Sequence, residues 1–506
     1  MSRNNGRLWV VAVSAAVWFF IACYDIYYAP IKANPNEKSR FYLVHALVSR
    51  GEFSIDAEIT RFGDTIDKAR VGEHYYSDKA PMLAFLSLPF YALYYAVVGD
   101  AAGEGDSLRF LKLTLHASAA LLLFWLLYLA IRGVCGERSI SLFGAAVGIF
   151  GTPLSTYFML YLSHSLAACA LFALYIMLRS LTVSPHYGRA VAAGALAGIT
   201  VMLEYPTFIG VALFSAWLLF CAQRKKDILA YVGGALVPAL LFFGYNTVVF
   251  GSPLSFGYSN LADTGFAEVH RRGFYGITYP TSDAIVSLLF SLRTGLITLS
   301  PFLLFMIPGA YYYLRERRAE GAVLLAVAVS YFIAISSFGV WNGGWSFGAR
   351  HLVPAMPFMV LLAAVGIQRT VGNNTIVPLI AGSLGAFSMM LFAFVNVLFP
   401  YVAEDHRNPF ANYFVSVIRE RFFLYDSFLT TLGMERPAAL AVYLFLAVTG
   451  VVILLRFSLV RTVPRLVAVI CAATLLLSLL FLPYRGYGPD IIRTKTIFKE
   501  HQYGRG

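Results

Sequence analysis

Residues 75–99 read YYSDKAPMLAFLSLPFYALYYAVVG, so that an Asp-Lys pair stands at the edge of a long apolar run. A run of this length is typical of a membrane helix, because about 18 to 20 residues cross a hydrocarbon core of about 30 Å. A lysine at such an edge has two readings. It anchors the end of a spanning helix or stays solvated in a loop, or it binds a phosphate held at the membrane surface. The choice depends on whether the run crosses the membrane.

The composition of the chain shows that this run is one of many. Hydrophobic residues make up 59% of the 506 residues, charged residues make up 13%, and the mean hydropathy is +0.69. The apolar runs are continuous, which predicts helical spans, whereas barrel strands would alternate. The net charge of +12 is best explained by Lys and Arg on cytoplasmic turns beside anionic lipid, so no nucleic-acid partner is expected. The five cysteines show neither a disulfide framework nor a CxxC metal site.

Thirteen segments are predicted to span the membrane, in one all-α integral membrane domain over 1–506. These segments are 8–28, 108–131, 139–158, 163–181, 189–204, 206–222, 228–250, 295–314, 321–339, 351–368, 375–399, 437–456 and 463–483. The connections after the even-numbered spans are short and basic, which places them and the N-terminus in the cytoplasm. The N-terminal segment is interpreted as an uncleaved first span, although it has features of a signal peptide.

The run 82–98 is predicted to lie at the outer membrane surface as an interfacial or re-entrant helix. If it crossed, the acidic stretch at 99–107 would be cytoplasmic and the basic turn at 132–138 external, against the positive-inside rule. Its tyrosines suit an interface. The resulting topology predicts four extracytoplasmic segments: 29–107, 251–294, 400–436 and the C-terminal tail 484–506.

The first extracytoplasmic segment contains charged residues close to the membrane. A helix is predicted over 39–48, with one apolar side lying on the membrane, and Gly51 ends it. The carboxylates of Glu37 and Asp56 flank this helix. Tyr75, Tyr76 and Lys79 follow at the start of the apolar run.

Three motifs in this segment, NEKSRF at 36–41, RGEF at 50–53 and YYSDKAP at 75–81, resemble the first loop of the GT-C fold glycosyltransferases. That superfamily contains the protein O-mannosyltransferases and the lipid A aminoarabinose transferase. Its first loop has an acidic pair, an Arg, an interfacial helix ending in GDW, and a YxxKPP box. The resemblance implies a GT-C-like bundle of about 13 transmembrane helices, with interfacial helices in a long first extracytoplasmic loop.

Two departures from the family pattern bear on the site. The acidic pair is Asn36-Glu37, which leaves a single carboxylate and weakens the case for a two-carboxylate metal site. Ala80 stands in place of one proline of the box, before Pro81.

The resemblance implies transfer of a sugar from a polyprenyl-phosphate donor to a hydroxyl of a glycan, lipid or protein. This reaction needs a base for the acceptor proton and cations for the leaving phosphate. Glu37 is predicted to be the base, or the ligand of a divalent cation if one is used, and Asp56 is the second choice. Lys79 and Tyr76 are predicted to contact the donor phosphate. Solvated loop charges are the alternative for both carboxylates, and a headgroup anchor is the alternative for Lys79.

A second cluster lies at 336–362, SSFGVWNGGWSFGARHLVPAMPFMVLL, where prolines kink the start of a span. It resembles the R-Y-x-x-P-x-x-P helix start of the same superfamily. Arg350 is predicted to bind the donor phosphate, because its planar fork can hold two oxygens, with a headgroup anchor as the alternative. Arg293 is either a second phosphate contact or an anchor. His351 and His164 are weaker predicted substrate contacts, because a headgroup anchor is the favoured interpretation of His351 and a satisfied interior histidine that of His164. Glu204, before a proline break, gives only a weak signal.

Two other classes of function remain open from the sequence. A transporter or flippase of lipid-linked saccharides is the main alternative, but such proteins commonly have repeated halves and polar residues at the bilayer midplane. A non-catalytic scaffold would leave the charged loop positions without a shared purpose. The compact loops and the resemblance favour a bacterial inner membrane, with the site facing the periplasm or exterior.

Overall fold

Helices make up most of the protein in the computed structural model. The structure describes residues 9–17, 26–27, 34–371, 376–398, 401–402, 406, 408–415, 418, 426–460 and 462–482. Four short strands accompany the helices in these ranges: β1 (Ile26–Tyr27), β2 (Ala69–Val71), β3 (His74–Tyr76) and β4 (Asp426–Ser427). β1 pairs with β4 and β2 pairs with β3, both antiparallel.

Eight helices of the described ranges are long and apolar enough to cross a membrane, judged by length and composition. They are Met82–Ala101, Glu104–Cys135, Ser163–Val183, Lys225–Phe250, Arg318–Ser336, Arg350–Val371, Ile376–Leu398 and Arg436–Phe457. Four shorter apolar helices join them: Arg138–Phe150, Tyr187–Leu203, Tyr205–Cys221 and Val463–Leu479. The mainly helical, multi-pass architecture agrees with the sequence. The total of thirteen spans and the interfacial placement of Met82–Ala101 stay predictions.

Short helices complete the described part of the chain. They are 9–17, Pro35–Arg50, Asp56–Phe62, Leu154–Tyr157, Thr264–Arg271, Ser282–Phe290, Leu296–Leu299, Met306–Glu316 and Phe428–Thr431. In the predicted first span, 8–28, residues 9–17 are helical but 26–27 form strand β1. The predicted tail, 484–506, and much of the loop at 400–436 lie outside the described residues.

Two other predicted spans are each divided into separate helical pieces. The segment predicted at 139–158 ends its helix at Phe150 and continues as the short helix Leu154–Tyr157. The segment predicted at 295–314 divides into three pieces: Leu296–Leu299, a 3-10 turn at Pro301–Phe305, and Met306–Glu316. Prolines at 153 and 301 lack the N–H that would continue each helix.

The helices Tyr187–Leu203 and Lys225–Phe250 cross at backbone contact distance. A Cβ added to Gly194 would lie 1.8 Å from the carbonyl oxygen of Tyr231, so only glycine fits there. Small residues at crossings are typical of membrane helices, because they let two backbones approach. The crossing holds the helix whose C-cap residue is Glu204.

The helix Pro35–Arg50, called the first-loop helix below, has clear sequence signals at both ends. Asn34 caps it, since its Oδ1 accepts a hydrogen bond of 2.8 Å from the Asn36 N–H. Gly51 ends it with a φ of 69°, as predicted. Residues 36–46 are all buried, whereas Leu47 and Val48 are half-buried, and the placement of one side of this helix on the membrane stays a prediction. Segments from several directions pack over its polar side, and the local sequence pattern does not show this packing.

The predicted extracytoplasmic segments 29–107 and 251–294 pack against each other. The Arg70 N–H donates a hydrogen bond of 2.8 Å to the Asn260 carbonyl oxygen, beside a bridge between Ala69 and Leu261. The two loops therefore form one structured layer at the same end of the helical bundle.

Within this layer, Glu58 joins the first-loop helix to the helix Asp56–Phe62. The Glu58 side chain is fully buried, with Oε1 2.8 Å from His45 Nδ1 and with the two oxygens 2.6 and 2.7 Å from the Arg50 guanidinium. Burial acts to raise the pKa of Glu58, but the hydrogen bonds from His45 and Arg50 outweigh it and hold the pKa below its usual range.

Replacing Glu58 by Gln should lower the free energy of unfolding by about 3 kcal/mol at pH 7, because Arg50 and His45 lose a buried charged partner. A carboxyl whose folded pKa is lowered stabilises the fold above its unfolded pKa, and this stability is lost as pH falls through the folded pKa. The difference in melting temperature between Glu58→Gln and wild type should therefore shrink towards pH 4. Glu52→Gln is the control, because its exposed pair with Arg50 at 3.2 Å should contribute little. A constant difference from pH 7 to pH 4 would contradict this account.

Candidate functional site

The first-loop helix carries Glu37 into the protein interior. The Glu37 side chain is fully buried. Its Oε1 accepts a hydrogen bond of 2.6 Å from the Tyr161 N–H, and its Oε2 accepts one of 2.8 Å from the Tyr401 hydroxyl. The carboxylate thus joins the first-loop helix to two distant segments. Its predicted role as base or metal ligand stays a prediction.

Arg40 lies one turn after Glu37 and was not assigned a role from the sequence, although NEKSRF contains it. Only 3% of its surface is exposed. Its Nε donates to Asn36 Oδ1 at 2.9 Å and one NH group donates to the Ala80 carbonyl oxygen at 3.2 Å. The other NH group lies 3.8 Å from Glu204 Oε2. The spacing of three residues, which puts Glu37 and Arg40 on one side of a helix, was the available signal.

Glu204 lies between helices that come from distant parts of the chain. The Ser163 hydroxyl donates a hydrogen bond to its Oε2, and His164 Nδ1 lies 3.5 Å from the same oxygen. The helix ends here because Pro206 follows in a 3-10 turn. The carboxylate that gave a weak signal in the sequence is therefore central in the structure.

Arg350 opens the 3-10 turn before the helix Met356–Val371 and is half-buried. Its Nε donates a hydrogen bond of 3.4 Å to His351 Nε2. The His351 ring makes edge-to-face contacts with His164, at 5.6 Å between centroids, and with Phe338, at 5.5 Å. Among the described residues, no carboxylate lies within ion-pair distance of Arg350.

These residues are called the central cluster below: Arg40, His164, Glu204, Arg350 and His351. Lys79 lies beside it, because the carbonyl oxygen of the next residue, Ala80, accepts a hydrogen bond from Arg40. Glu204 lies 3.8 Å from Arg40 and 3.5 Å from His164, so a cation and an imidazole share one buried carboxylate.

Lys79 forms two ion pairs at the edge of the central cluster. Its Nζ lies 2.9 Å from Asp67 Oδ2 and 2.9 Å from Asp78 Oδ2, and the side chain is 8% exposed. Burial acts to lower the pKa of Lys79, but the two carboxylates outweigh it and raise the pKa above its usual range. Gly257 permits this packing, because a Cβ there would lie 2.4 Å from the Asp78 carbonyl oxygen. The role of Lys79 as a phosphate contact stays a prediction.

The Arg293 guanidinium supports a turn near Arg350. One NH group donates to the carbonyl oxygens of Gly344 and Ser346, at 2.8 and 3.3 Å. The Gly348 N–H donates back to the Arg293 carbonyl oxygen at 2.8 Å. Arg293 thereby shapes the turn that leads to Arg350, and its predicted phosphate contact stays a prediction.

Asp56 organises the hairpin formed by β2 and β3. Its Oδ1 accepts from the Tyr75 N–H at 2.8 Å, and its Oδ2 lies 2.7 Å from the Ser54 hydroxyl and 2.8 Å from His74 Nδ1. Burial raises the pKa of Asp56, but these hydrogen bonds outweigh it and lower the pKa overall. Tyr76 belongs to β3 and pairs with Ala69. No contact with the central cluster appears for Asp56 in the described residues, so its catalytic role stays a prediction.

The residues described do not form an evident metal site. No group of three His, Cys, Asp or Glu side chains in those ranges is arranged to hold a metal ion. Both oxygens of Glu37 already accept hydrogen bonds.

No family model matches the chain, and no curated protein matches it. Among solved structures, the chain is similar to ArnT from Cupriavidus metallidurans bound to undecaprenyl phosphate, with a TM-score of 0.47 and 13% identity over 94% of this chain and 78% of that chain. For apo ArnT the values are 0.48 and 14%, over 91% and 78%. The chain is also similar to the archaeal oligosaccharyltransferase AglB from Archaeoglobus fulgidus, in complex with an inhibitory peptide and a dolichol-phosphate. There the TM-score is 0.44 and the identity 14%, over 83% of this chain and 60% of that chain. These are GT-C fold glycosyltransferases, the superfamily that the first-loop motifs resemble.

Proposed function

We propose that this chain is a glycosyltransferase that moves a sugar from a polyprenyl-phosphate donor to an acceptor hydroxyl, on the extracytoplasmic side of the membrane. The observation that carries the proposal is the central cluster, in which Arg40 and His164 lie by the buried carboxylate of Glu204 and His351 links His164 to Arg350. A phosphate leaving group needs cations held in place, and proton removal from a hydroxyl needs a base.

Arg350 is the residue best suited to receive the donor phosphate. Arg40 lies 3.8 Å from Glu204 and Lys79 lies 2.9 Å from two carboxylates, so the charge of each is partly balanced. Arg350 has a neutral imidazole as its described hydrogen-bond partner. Its guanidinium fork can therefore bind two phosphate oxygens without first giving up a carboxylate.

A lipid-linked donor suits the position of this cluster. The cluster lies where the apolar helices Ser163–Val183 and Arg350–Val371 begin, so a phosphate there would lie at one end of the apolar bundle. By the positive-inside rule, the short basic connections face the cytoplasm, which favours an extracytoplasmic position for the end of the bundle that contains the cluster. We further propose a bacterial inner membrane as the location, and a glycan, lipid or protein as the acceptor.

The proposal is tested with the purified protein in liposomes that contain undecaprenyl phosphate carrying ¹⁴C-labelled glucose, mannose or aminoarabinose, with cell-envelope extract as the acceptor. Loss of label from the lipid, together with release of undecaprenyl phosphate, is the expected result for at least one sugar. Movement of intact labelled lipid between leaflets, with no bond broken, would instead identify a flippase. If neither sugar transfer nor lipid movement is seen with any of these donors, the proposal is overturned.

A further inference from the structure

We propose that His164, positioned by Glu204, accepts the proton of the acceptor hydroxyl, an inference that rests on the function proposed above. His164 is 3% exposed and its Nδ1 makes no hydrogen bond within the described part of the chain. A buried polar atom without a hydrogen-bond partner is costly, so such a group calls for an explanation.

The position of Glu204 gives His164 the partner that a base needs. Glu204 Oε2 lies 3.5 Å from His164 Nδ1, and the Ser163 hydroxyl donates to the same oxygen. A carboxylate on one ring nitrogen selects the tautomer, leaves the other nitrogen free to accept a proton, and stabilises the imidazolium that forms. Contacts of this kind are often long before substrate binds and shorten in the reacting complex.

Glu37 is less suited to this role, although the sequence favours it. Its two oxygens receive hydrogen bonds from the Tyr161 N–H and the Tyr401 hydroxyl, and its side chain is fully buried. Glu37 also lies on the first-loop helix, where its contacts hold that helix in place.

The neighbours of His164 put the base next to the phosphate site. The ring of His351 contacts the ring of His164 edge-on at 5.6 Å, and the same His351 accepts the hydrogen bond of Arg350. A donor phosphate on Arg350 would thus lie one side chain away from the base.

The step balances without a further reactant. The acceptor oxygen forms a bond to the anomeric carbon, and its proton moves to the free nitrogen of His164. The bond from that carbon to the phosphate oxygen breaks, and its electron pair leaves with the polyprenyl phosphate. The imidazolium next to Glu204 releases its proton to water after the product departs.

The test compares wild type, His164→Asn and Glu204→Gln in the transfer assay, using the labelled donor that wild type consumes. His164→Asn should lower kcat by about 10²- to 10⁴-fold, the usual contribution of a general base, with undecaprenyl phosphate binding unchanged. Because protonated imidazole cannot accept a proton, kcat of wild type should fall towards acid pH, and this fall should be absent in His164→Asn. Added imidazole should restore part of the activity of His164→Gly. Glu204→Gln, a change in a positioning residue, should lower kcat more than it changes KM and shift the pH profile.

The control is His186→Asn, because His186 is exposed, caps the helix Tyr187–Leu203 and belongs to neither site.

Wild-type kcat and pH profile in His164→Asn would overturn the inference while the proposed function stands. If kcat no longer decreases towards acid pH in Glu37→Gln but still does so in His164→Asn, the base is Glu37. Loss of undecaprenyl phosphate binding in His164→Asn would make His164 a donor contact instead. If His164→Asn fails to fold, the pH profile of Glu204→Gln decides, and an unchanged profile overturns the inference. A wild type inactive with every donor removes both proposals.

Discussion

Replacing Arg350 by Ala should lower sugar transfer by about 10²- to 10³-fold and weaken undecaprenyl phosphate binding, while the protein remains folded. The magnitude is that of removing one preorganised group that stabilises developing negative charge. Arg350 is half-buried and has no carboxylate within ion-pair distance among the described residues, so its loss leaves no buried charge unpaired. The measurements are transfer rate, binding of undecaprenyl phosphate to protein in nanodiscs, and melting temperature.

Arg350→Lys refines this test, because it keeps the charge but loses the planar fork. Its transfer rate should lie between those of wild type and Arg350→Ala. Arg271→Ala is the matched control, since Arg271 is an exposed arginine at the end of the helix Thr264–Arg271, within the predicted extracytoplasmic segment 251–294. If Arg350→Ala binds undecaprenyl phosphate as well as wild type does, Arg350 is a headgroup anchor and not a phosphate contact.

Replacing Lys79 by Ala should destabilise the protein by about 3 to 5 kcal/mol, because it leaves Asp67 and Asp78 close together without their shared cation. The Asp78 side chain is 2% exposed, so water cannot replace the ammonium. Burial raises the pKa of Asp78, and without Lys79 the cost of keeping it ionised would rise further. The measurement is the melting temperature of the purified protein in detergent.

Two comparisons separate this ion-pair role from phosphate binding. Lys79→Ala with Asp78→Asn should be more stable than Lys79→Ala alone, because the second change removes one unpaired carboxylate. Lys68→Ala should cost at most about 1 kcal/mol, because its partner Asp64 is 67% exposed. If Lys79→Ala is as stable as Lys68→Ala yet loses undecaprenyl phosphate binding, Lys79 is the phosphate cation that the sequence predicts.

Much of the helical architecture could be predicted from local sequence. Long apolar runs such as 163–181 and 375–399 correspond to helices, because backbone groups in a membrane must bond within their own segment. Gly51 ends the first-loop helix, and Pro206 marks the break after Glu204. Each of these features depends on neighbouring residues alone.

The candidate site was predictable only in part. Arg350, His351, His164 and Lys79 were selected from the sequence. The structure brings the first three side chains into contact and places Lys79 next to Ala80, whose carbonyl oxygen accepts a hydrogen bond from Arg40. Arg40 was missed, and Glu204 gave only a weak signal, because a buried charge is recognised by its partners. Those partners lie far along the chain, as the 3.8 Å contact between Arg40 and Glu204 shows.

The sequence by itself therefore determined a mainly helical, multi-pass chain with charged residues near the ends of apolar runs, since hydropathy and helix punctuation are local properties. Only the tertiary structure decided which of those charges are already paired. Lys79 forms ion pairs with Asp67 and Asp78. Glu37 accepts hydrogen bonds from Tyr161 and Tyr401. Arg350 has no carboxylate partner among the described residues. The physical reason is that the electrostatic state of a buried group depends on groups within a few ångströms in space, and helix packing sets those distances.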